Sequence, residues 1–353
     1  MATSSGLQAA ASLPRFYTPG ALIASFALAA TSFTLSGATD ETGLPNLVAT
    51  AVLGFVLYQV ITYVASRSVE GRRRAQDRLI TGWVTAAFVL AVIPLVSLAW
   101  TVVEKGLNRL DVEFFTNSMR NVVGPGGGAL HAIVGTLELT GIATLISVPI
   151  GIMTAIYLVE YGRGRLARAV TFFVDVMTGI PSIVAGLFAF SLFLILLGPA
   201  SAINGFAGAI SLSVLMTPVV IRATEEMLKI VPNELREASY ALGVPKWLTI
   251  VKVVIPTALA GIATGVIIAI ARVIGETAPL LLAAGFTTSM NYNPFSEKMM
   301  TLPVFVYTSY AIQGTDVQSY VDRAWAGALT LMIIVMVLNL IARIISKLFS
   351  PKG

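Results

Sequence analysis

Long apolar runs alternate with short polar stretches along almost the whole chain. Eight of these runs reach, or nearly reach, the roughly 20 residues that a helix needs to cross a hydrocarbon core about 30 Å thick. They cover residues 20–37, 46–66, 79–103, 131–159, 168–198, 206–222, 256–283 and 325–346. The pattern therefore predicts an all-α, polytopic membrane protein with about eight transmembrane helices. The first run is the least regular, because it is short and rich in small polar residues.

Composition strengthens this prediction and excludes a soluble enzyme. Of 353 residues, 56% are hydrophobic and 12% are charged, and the mean hydropathy is +0.84. Cysteine is absent, so disulfides and thiolate metal sites are excluded. The single histidine, His131, has no second imidazole or carboxylate cluster beside it in the sequence. We expect neither a metal site nor catalytic residues, since no nucleophile and base stand together.

The distribution of positive charge predicts the orientation. If the N-terminus is cytoplasmic, most of the 23 Lys and Arg residues fall in cytoplasmic segments. The exceptions are Lys105, Arg109, Arg120, Lys298 and Arg323 outside, and Arg272 within an apolar run. Both termini are thus predicted to be cytoplasmic. The basic run "RSVEGRRRAQDR" follows a span directly and lacks interleaved aromatic residues, which favours contact with anionic membrane lipid over nucleic acid.

Proline and glycine residues in the cytoplasmic stretch 223–255 predict two short helices that meet at a glycine. Pro232 suits the start of a helix, Gly243 can supply the left-handed residue that ends it, and Pro245 can open the next helix. The second helix runs directly into the following apolar run. We call residues 232–252 the elbow; such a compact unit at the membrane surface can transmit a push.

The elbow carries a spaced motif. Its residues are Glu237, Ala238, Ser239, Gly243 and, after nine further residues, the sequence "VVIP" that ends at Pro256. The motif resembles the EAA loop of the membrane subunits of ABC importers, E-A-A-x3-G-x9-I-x-L-P. Ser239 and the residues before Pro256 are mild departures. The resemblance implies that these residues, together with Pro245, couple the chain to an ATPase.

Other stretches make the resemblance more specific. They are "GTLELT", "GIPSIVAGL", "MTPVVIRATEEMLKIVPNELREASYALG", "ARVIGETAPLL" and "TLPVFVY". Together they resemble the permeases of phosphate-specific ABC importers, the PstA type in particular. The resemblance covers residues 79–353, which we take as a six-span permease domain with its coupling loop at 223–255. Residues 1–78 form an N-terminal extension with two further transmembrane helices and a basic cytoplasmic loop.

The resemblance also implies a function and partners. It describes a permease subunit of an ATP-driven importer of inorganic phosphate in the bacterial plasma (inner) membrane, forming half of the translocation pathway. The implied partners are a second related permease, two copies of a cytoplasmic ATPase subunit and an external phosphate-binding protein. Two alternatives stay open at this point: an ABC permease for another oxyanion (molybdate, sulfate or phosphonate), or a gradient-driven secondary carrier.

The chain has no means of its own to bind ATP by a P-loop. It contains no Gly-Lys dipeptide, and therefore no G-x4-G-K-[ST] motif. We expect no cofactor in this chain, with ATP and magnesium bound by the partner ATPase.

Two charged residues, Arg272 and Glu276, interrupt the apolar run "AIARVIGETAPLLLAAG". A charge at the middle of a membrane helix is costly and is seldom there without a role. Their spacing of four predicts a shared helix face. They can form an internal ion pair, or Arg272 can meet the transported anion on the substrate pathway while Glu276 weakens its retention.

Overall fold

The computed structural model describes residues 12–14, 16–36 and 46–349, and within these ranges the regular structure is entirely helical. The all-α prediction is therefore confirmed. The α-helices, in chain order, are α1 Tyr17–Leu35, α2 Leu47–Val69, α3 Arg72–Gly106, α4 Val112–Thr116, α5 Leu130–Ile156, α6 Gly164–Thr178, α7 Ser182–Leu197, α8 Gly205–Ile230, α9 Asn233–Ala241, α10 Lys246–Thr249, α11 Ile255–Val273, α12 Ala278–Ala283, α13 Leu302–Ala311 and α14 Val317–Phe349. A 3-10 turn covers Leu107–Arg109, and π turns cover Tyr157–Tyr161 and Ile250–Val254.

Seven helical stretches of the described chain are long and apolar enough to cross a membrane, and a bent pair brings the number to eight if it counts as one span. The seven are α1, α2, α3, α5 with its π turn, α8, α10 to α11, and α14. The bent pair is α6 and α7, whose axes turn by 108° at residues 179–181. The single straight helix predicted for 168–198 is therefore wrong. Pro181 causes the break, because it lacks an N–H group and restricts the residue before it.

Two further predicted segments differ from the structure. The apolar run 256–283 holds α11 and the short α12 instead of one helix, because α11 ends at Val273 and Pro279 opens α12. The stretch 284–324 separates two predicted spans and holds Lys298 and Arg323, which the charge distribution places outside. In the structure it contains α13 and the beginning of α14. α13 contributes buried side chains such as Phe305 to the core. The buried helix α13 was missed because its apolar run is shorter than a membrane span.

The chain divides into two compact units, residues 1–99 and 100–353. The division falls inside α3, whereas the sequence predicts a domain boundary after residue 78, which stays a prediction. In residues 100–353, α8 is the central helix, because more than half of its most apolar 18-residue segment is buried. Small residues let its neighbours approach: a Cβ on Gly265 of α11 would lie 2.5 Å from the Cβ of Ala223.

In residues 1–99, the turn between α2 and α3 is organised by a buried carboxylate. Glu70 accepts hydrogen bonds from Arg78 Nε (2.7 Å) and Nη2 (2.8 Å), from Ser66 Oγ (2.7 Å) and from the backbone N–H of Leu13 (2.9 Å). Gly71 follows in the left-handed region at φ +86°, which lets the chain reverse at once. The hydrogen bonds from Arg78, above all, lower the pKa of Glu70 to about 2.

This ion pair gives a pH-dependent test. Because the pKa of Glu70 is depressed on folding, its contribution to stability is complete above its ordinary pKa of 4.5 and is lost as the pH falls toward 2. We expect Glu70→Gln to lower the melting temperature of the purified protein by a few degrees at pH 7. Melting curves of the two proteins between pH 7 and pH 3 should show this difference shrink below about pH 4.5.

Asp77→Asn is the matched control, because Asp77 is an exposed carboxylate near the start of α3, one residue before Arg78. It should leave the melting temperature unchanged at every pH. A constant difference between wild type and Glu70→Gln down to pH 3 would contradict the role assigned to this carboxylate.

Candidate functional site

The elbow has the two-helix form that its prolines and Gly243 predict. α9 begins after Pro232 and ends at Ala241, and Gly243 follows at φ +75°. The N–H groups of Gly243 and Val244 donate to carbonyls of the last turn of α9, at 2.9 and 3.2 Å. Pro245 then precedes α10, and the π turn Ile250–Val254 joins α10 to α11 without a loop. The prediction of two short helices that meet at Gly243 is confirmed.

The two elbow helices are joined by a buried pair of hydroxyls. Ser239 Oγ of α9 lies 2.8 Å from Thr249 Oγ1 of α10, and both side chains are buried. This contact explains why serine stands where the EAA pattern has its second alanine, since the hydroxyl has a partner ten residues further along the chain. The angle between α9 and α10 is thereby fixed by side chains as well as by Gly243.

A second anchor connects the elbow to the end of α5. Arg236 donates from Nε and Nη2 to Glu160 Oε1 at 3.1 and 2.9 Å, and both side chains are nearly buried, with 12% and 5% of their surface exposed. The same guanidinium donates to the carbonyls of Leu228 (2.9 Å) and Val231 (2.6 Å) at the end of α8. Arg236 therefore ties α5, α8 and α9 together. These contacts use several donors fixed in one plane, which a lysine ammonium lacks.

α10 has its own connection to the same place. Lys246 Nζ donates to the backbone carbonyl of Glu160 and lies 4.9 Å from the centre of the Tyr161 ring. Both helices of the elbow are thus attached to the π turn at the end of α5. A displacement of the elbow must pull on α5 as well as on α11.

The predicted coupling residues are exposed, with one exception; all lie in the elbow except Pro256, which is in the first turn of α11. Glu237, Ala238, Gly243, Pro245 and Pro256 are exposed, and Ser239 is buried. Large apolar side chains accompany them: Leu242 is 83% exposed and Trp247 is 61% exposed. We call this surface, formed by Glu237, Ala238, Leu242 and Trp247, the elbow face. Leu242 lies outside the candidate spans and Trp247 lies in the first turn of one, and exposed apolar side chains at such an edge suit a protein contact.

Arg272 and Glu276 do not have the arrangement predicted for them. Arg272 lies in the last turn of α11, which ends at Val273, and Glu276 lies in the turn before α12. The prediction of a shared helix face is therefore wrong, because the helix stops between the two residues. No ion pair joins their side chains in the portion of the chain that the structure describes.

Arg272 instead lies on the face of α11 that this chain leaves uncovered. Exposed residues recur along that face, namely Thr257, Thr264, Ile268 and Arg272. The adjacent side, with Ile262, Gly265, Ala269 and Val273, is buried in the core, where Gly265 lies against Ala223 of α8. Two hydroxyls and a guanidinium thus line one side of a membrane helix. This arrangement suits a polar pathway shared with another subunit.

Sequence reasoning missed the charge network at the end of α8. Arg222 pairs with Asp175 of α6 and, at 2.8 Å, with Glu225, which in turn accepts from Lys229 at 2.7 Å. The spacings of three and four within α8 could have indicated the second and third contacts. The contact with Asp175 could not be predicted, because 47 residues separate it from Arg222.

Two polar side chains of α5, the buried His131 and the half-buried Glu138, have no role in these contacts. Neither ring nitrogen of His131 has a hydrogen-bond partner among the described residues, and the ring lies edge-on to Phe305 at 5.8 Å. One carboxylate oxygen of Glu138 is likewise buried without a partner there. No group of three or more potential metal ligands occurs within the described ranges.

Comparison with known proteins assigns a family. The model of the family "Binding-protein-dependent transport system inner membrane component" matches residues 147–352. The phosphate transport system permease protein PstA 1 of Mycobacterium tuberculosis (strain CDC 1551 / Oshkosh) is 47% identical over 82% of this chain and 94% of its own length. PstA of Haemophilus influenzae is 37% identical over 77% of this chain and 94% of its own length.

Solved structures share the fold at lower identity. A chain of a bacterial alginate ABC transporter, solved with an alginate pentasaccharide-bound periplasmic protein, is 15% identical and aligns with a TM-score of 0.55 over 79% of this chain and 97% of its own. This similarity shows the fold alone.

The hydroxyl pair of the elbow can be tested by a double-mutant cycle. We expect Ser239→Ala and Thr249→Val each to destabilise the protein, because each leaves a buried hydroxyl without its partner, or a cavity in its place. The double variant should recover part of the loss, with a coupling free energy of about 1 kcal/mol. Denaturation curves of the four proteins measure this coupling.

Thr264→Val is the matched control, since the Thr264 hydroxyl is bonded only within its own helix, to Ala260 O. It should show no coupling with Ser239→Ala. Simple additivity of Ser239→Ala and Thr249→Val would mean that the hydroxyl contact does not join α9 to α10.

Proposed function

The chain belongs to the family of binding-protein-dependent transport system inner membrane components, among the phosphate transport permeases, and on that basis we propose that it conducts inorganic phosphate across the inner membrane as one permease subunit of an ATP-driven importer. The observation that carries the proposal is the 47% identity to a phosphate permease over 82% of the chain. The names of the relatives favour phosphate over molybdate, sulfate or phosphonate. Family membership favours an ABC importer over a gradient-driven carrier.

Within this proposal, the elbow is the coupling device. A multi-pass permease of this family works in a complex with an ATPase and a binding protein. The elbow face presents Leu242 and Trp247, which fit an apolar groove on the ATPase, while Arg236 and Lys246 fix the elbow to α5. ATP and magnesium are bound by the ATPase, so a change in its shape reaches the spans through the elbow.

The proposed complex contains this chain, a second related permease, two copies of the cytoplasmic ATPase and an external phosphate-binding protein. The elbow and both termini face the cytoplasm, as the distribution of Lys and Arg indicates. The second permease covers the exposed face of α11, so that the pathway runs between the two subunits.

Arg272 is the residue proposed to meet the anion. Its guanidinium offers several donors in a fixed plane, which suits two phosphate oxygens at once. Its side chain is exposed on the uncovered face of α11, and Thr264 lies two turns away on the same face. Glu276, which is partly exposed beyond the end of α11, limits the retention of the anion near the same position. This assignment is supported by the absence of an ion pair that would otherwise occupy Arg272 within the described chain.

The coupling role is tested at Gly243. A Cβ at this position would meet nothing within 4 Å, so the effect of a substitution comes from the backbone and not from a clash. At φ +75°, valine is strained by about 1–2 kcal/mol, whereas asparagine tolerates this region. We expect Gly243→Val to reduce phosphate uptake by the assembled complex in vesicles several-fold, and Gly243→Asn to retain most of it.

Gly141→Val serves as the control, because Gly141 also has open space at its Cβ but lies in the ordinary helical region of α5. Membrane insertion of all three variants is measured in parallel. If Gly243→Val transports at the wild-type rate with the ATPase bound, the elbow does not couple the two subunits.

The pathway role is tested at Arg272. We expect Arg272→Ala to reduce phosphate uptake roughly tenfold or more, since it removes a charge-assisted donor from the route of the anion. Arg272→Lys should restore uptake only in part, because a point charge lacks the planar set of donors. Both variants should assemble with the ATPase and the second permease at wild-type levels, since no buried partner loses its counter-charge.

Arg120→Ala, at an exposed arginine on the loop after α4, is the control and should transport normally. Uptake of labelled phosphate is measured with excess unlabelled molybdate, sulfate or phosphonate. If one of these anions reduces the uptake of labelled phosphate at a concentration at which unlabelled phosphate does not, that anion is the substrate. Failure of Arg272→Ala to assemble would contradict the pathway role.

A further inference from the structure

α6 has a geometry that the transport function does not use. Its axis turns by 108° from that of α7, a helix of 16 apolar and hydroxyl-bearing residues that is about 24 Å long. When α7 crosses the membrane along its normal, α6 must lie close to the membrane plane. In that arrangement α6 is a surface helix and not the first half of a span.

One face of α6 is held firmly by the rest of the chain. Val174 is buried, and Val170 packs with it against Ile221 and Leu228 of α8 and Ile262 of α11. At the side of this face, Asp175 pairs with Arg222. The orientation of α6 about its own axis is thus fixed by residues of this chain.

The outward side of α6, which begins next to the held face, is apolar and uncovered. It presents Leu166, Phe172, Phe173 and Val176, of which the two phenylalanines are 69% and 63% exposed. Leu166, Phe173 and Val176 recur at helical spacing, and Phe172 adjoins them. A helix that lies in the membrane plane places such a face at the boundary between head groups and acyl chains.

Three arginines lie at the N-terminal end of the same helix and carry uncompensated charge. Arg163, Arg165 and Arg168 are exposed, and none forms an ion pair within the described ranges. The nearest acidic groups are already occupied, Glu160 by Arg236 and Asp175 by Arg222. Arg168 Nε also donates to the carbonyl of Gly164 at 3.4 Å. Three exposed guanidinium groups beside an apolar face match the charge of a phospholipid head-group layer.

We propose that α6 is an interfacial helix that binds anionic phospholipid. The phenylalanine face enters the boundary of the acyl chains, and the arginines bind head-group phosphates of the same leaflet. Because α6 packs on α8 beside the elbow, this site anchors the coupling region to the membrane surface. The inference does not depend on which solute the chain conducts.

The chain offers a clean reporter, because it contains no cysteine. A fluorophore is placed on Phe173→Cys, and separately on Leu166→Cys, in the complete transporter reconstituted in lipid nanodiscs. Lipids that carry a quencher just below the head group should quench both positions strongly. The same label on Arg120→Cys, on an exposed loop, should be quenched much less.

Charge is tested with two matched triple variants. In nanodiscs with about one third phosphatidylglycerol, labelled at residue 173, we expect binding of quencher-bearing phosphatidylglycerol to fall roughly tenfold in Arg163→Gln/Arg165→Gln/Arg168→Gln. Arg72→Gln/Arg73→Gln/Arg74→Gln removes the same charge from exposed arginines elsewhere and should leave this local signal unchanged. Millimolar inorganic phosphate should not displace the lipid.

Each other outcome overturns the proposal. Quenching at residues 166 and 173 that appears only when the chain is isolated, and vanishes in the complete transporter, would show that a partner permease covers this face. Equal binding of phosphatidylcholine and phosphatidylglycerol would remove the role of the arginines. Displacement by inorganic phosphate would assign the arginines to free phosphate.

Discussion

The close approach of helices to α8 is the constraint on which the arrangement of residues 100–353 depends. Within a bilayer, helices gain little from the hydrophobic effect against one another, so contact requires small residues that bring backbones together. Gly265 meets Ala223 of α8, Gly151 of α5 meets Val220, and Gly208 of α8 meets Ala284. These contacts hold α5 and α11 against α8. Toward its C-terminal end, α8 presents Arg222, which pairs with α6, and the backbone carbonyls that accept hydrogen bonds from Arg236.

Prolines and a glycine that act on their immediate neighbours made the two helices of the elbow predictable. Contacts between residues far apart in the sequence could not be predicted in this way. Pro232, Gly243 and Pro245 act on their immediate neighbours, so their positions alone predicted two short helices and the turn between them. The attachment of Arg236 to Glu160 crosses 76 residues and depends on how α5 and α8 pack. No spacing within one helix could have revealed it.

Proline explains why the spans were harder to predict than the elbow. Pro94, Pro149 and Pro218 all lie inside continuous helices of this chain, yet Pro181 ends one helix and begins another. Membrane helices tolerate proline when neighbouring groups satisfy the freed carbonyl, so a proline in an apolar run does not by itself mark a break. Gly179 lies two residues from Pro181, but Gly151 lies two residues from Pro149 inside continuous α5, so a nearby glycine does not mark the break either.

The π turn between α10 and α11 sets the helical phase of the whole of α11. A π turn holds one residue more than the α turn that it replaces, and one residue corresponds to about 100° of rotation about the helix axis. The elbow is tethered to Glu160 and cannot turn to compensate. The single extra residue within Ile250–Val254 therefore determines the azimuth of Arg272. With ordinary winding at this point, the guanidinium would be turned by about a quarter of a revolution away from the open side of α11. The register of the backbone hydrogen bonds in this turn therefore decides which surface carries the charge.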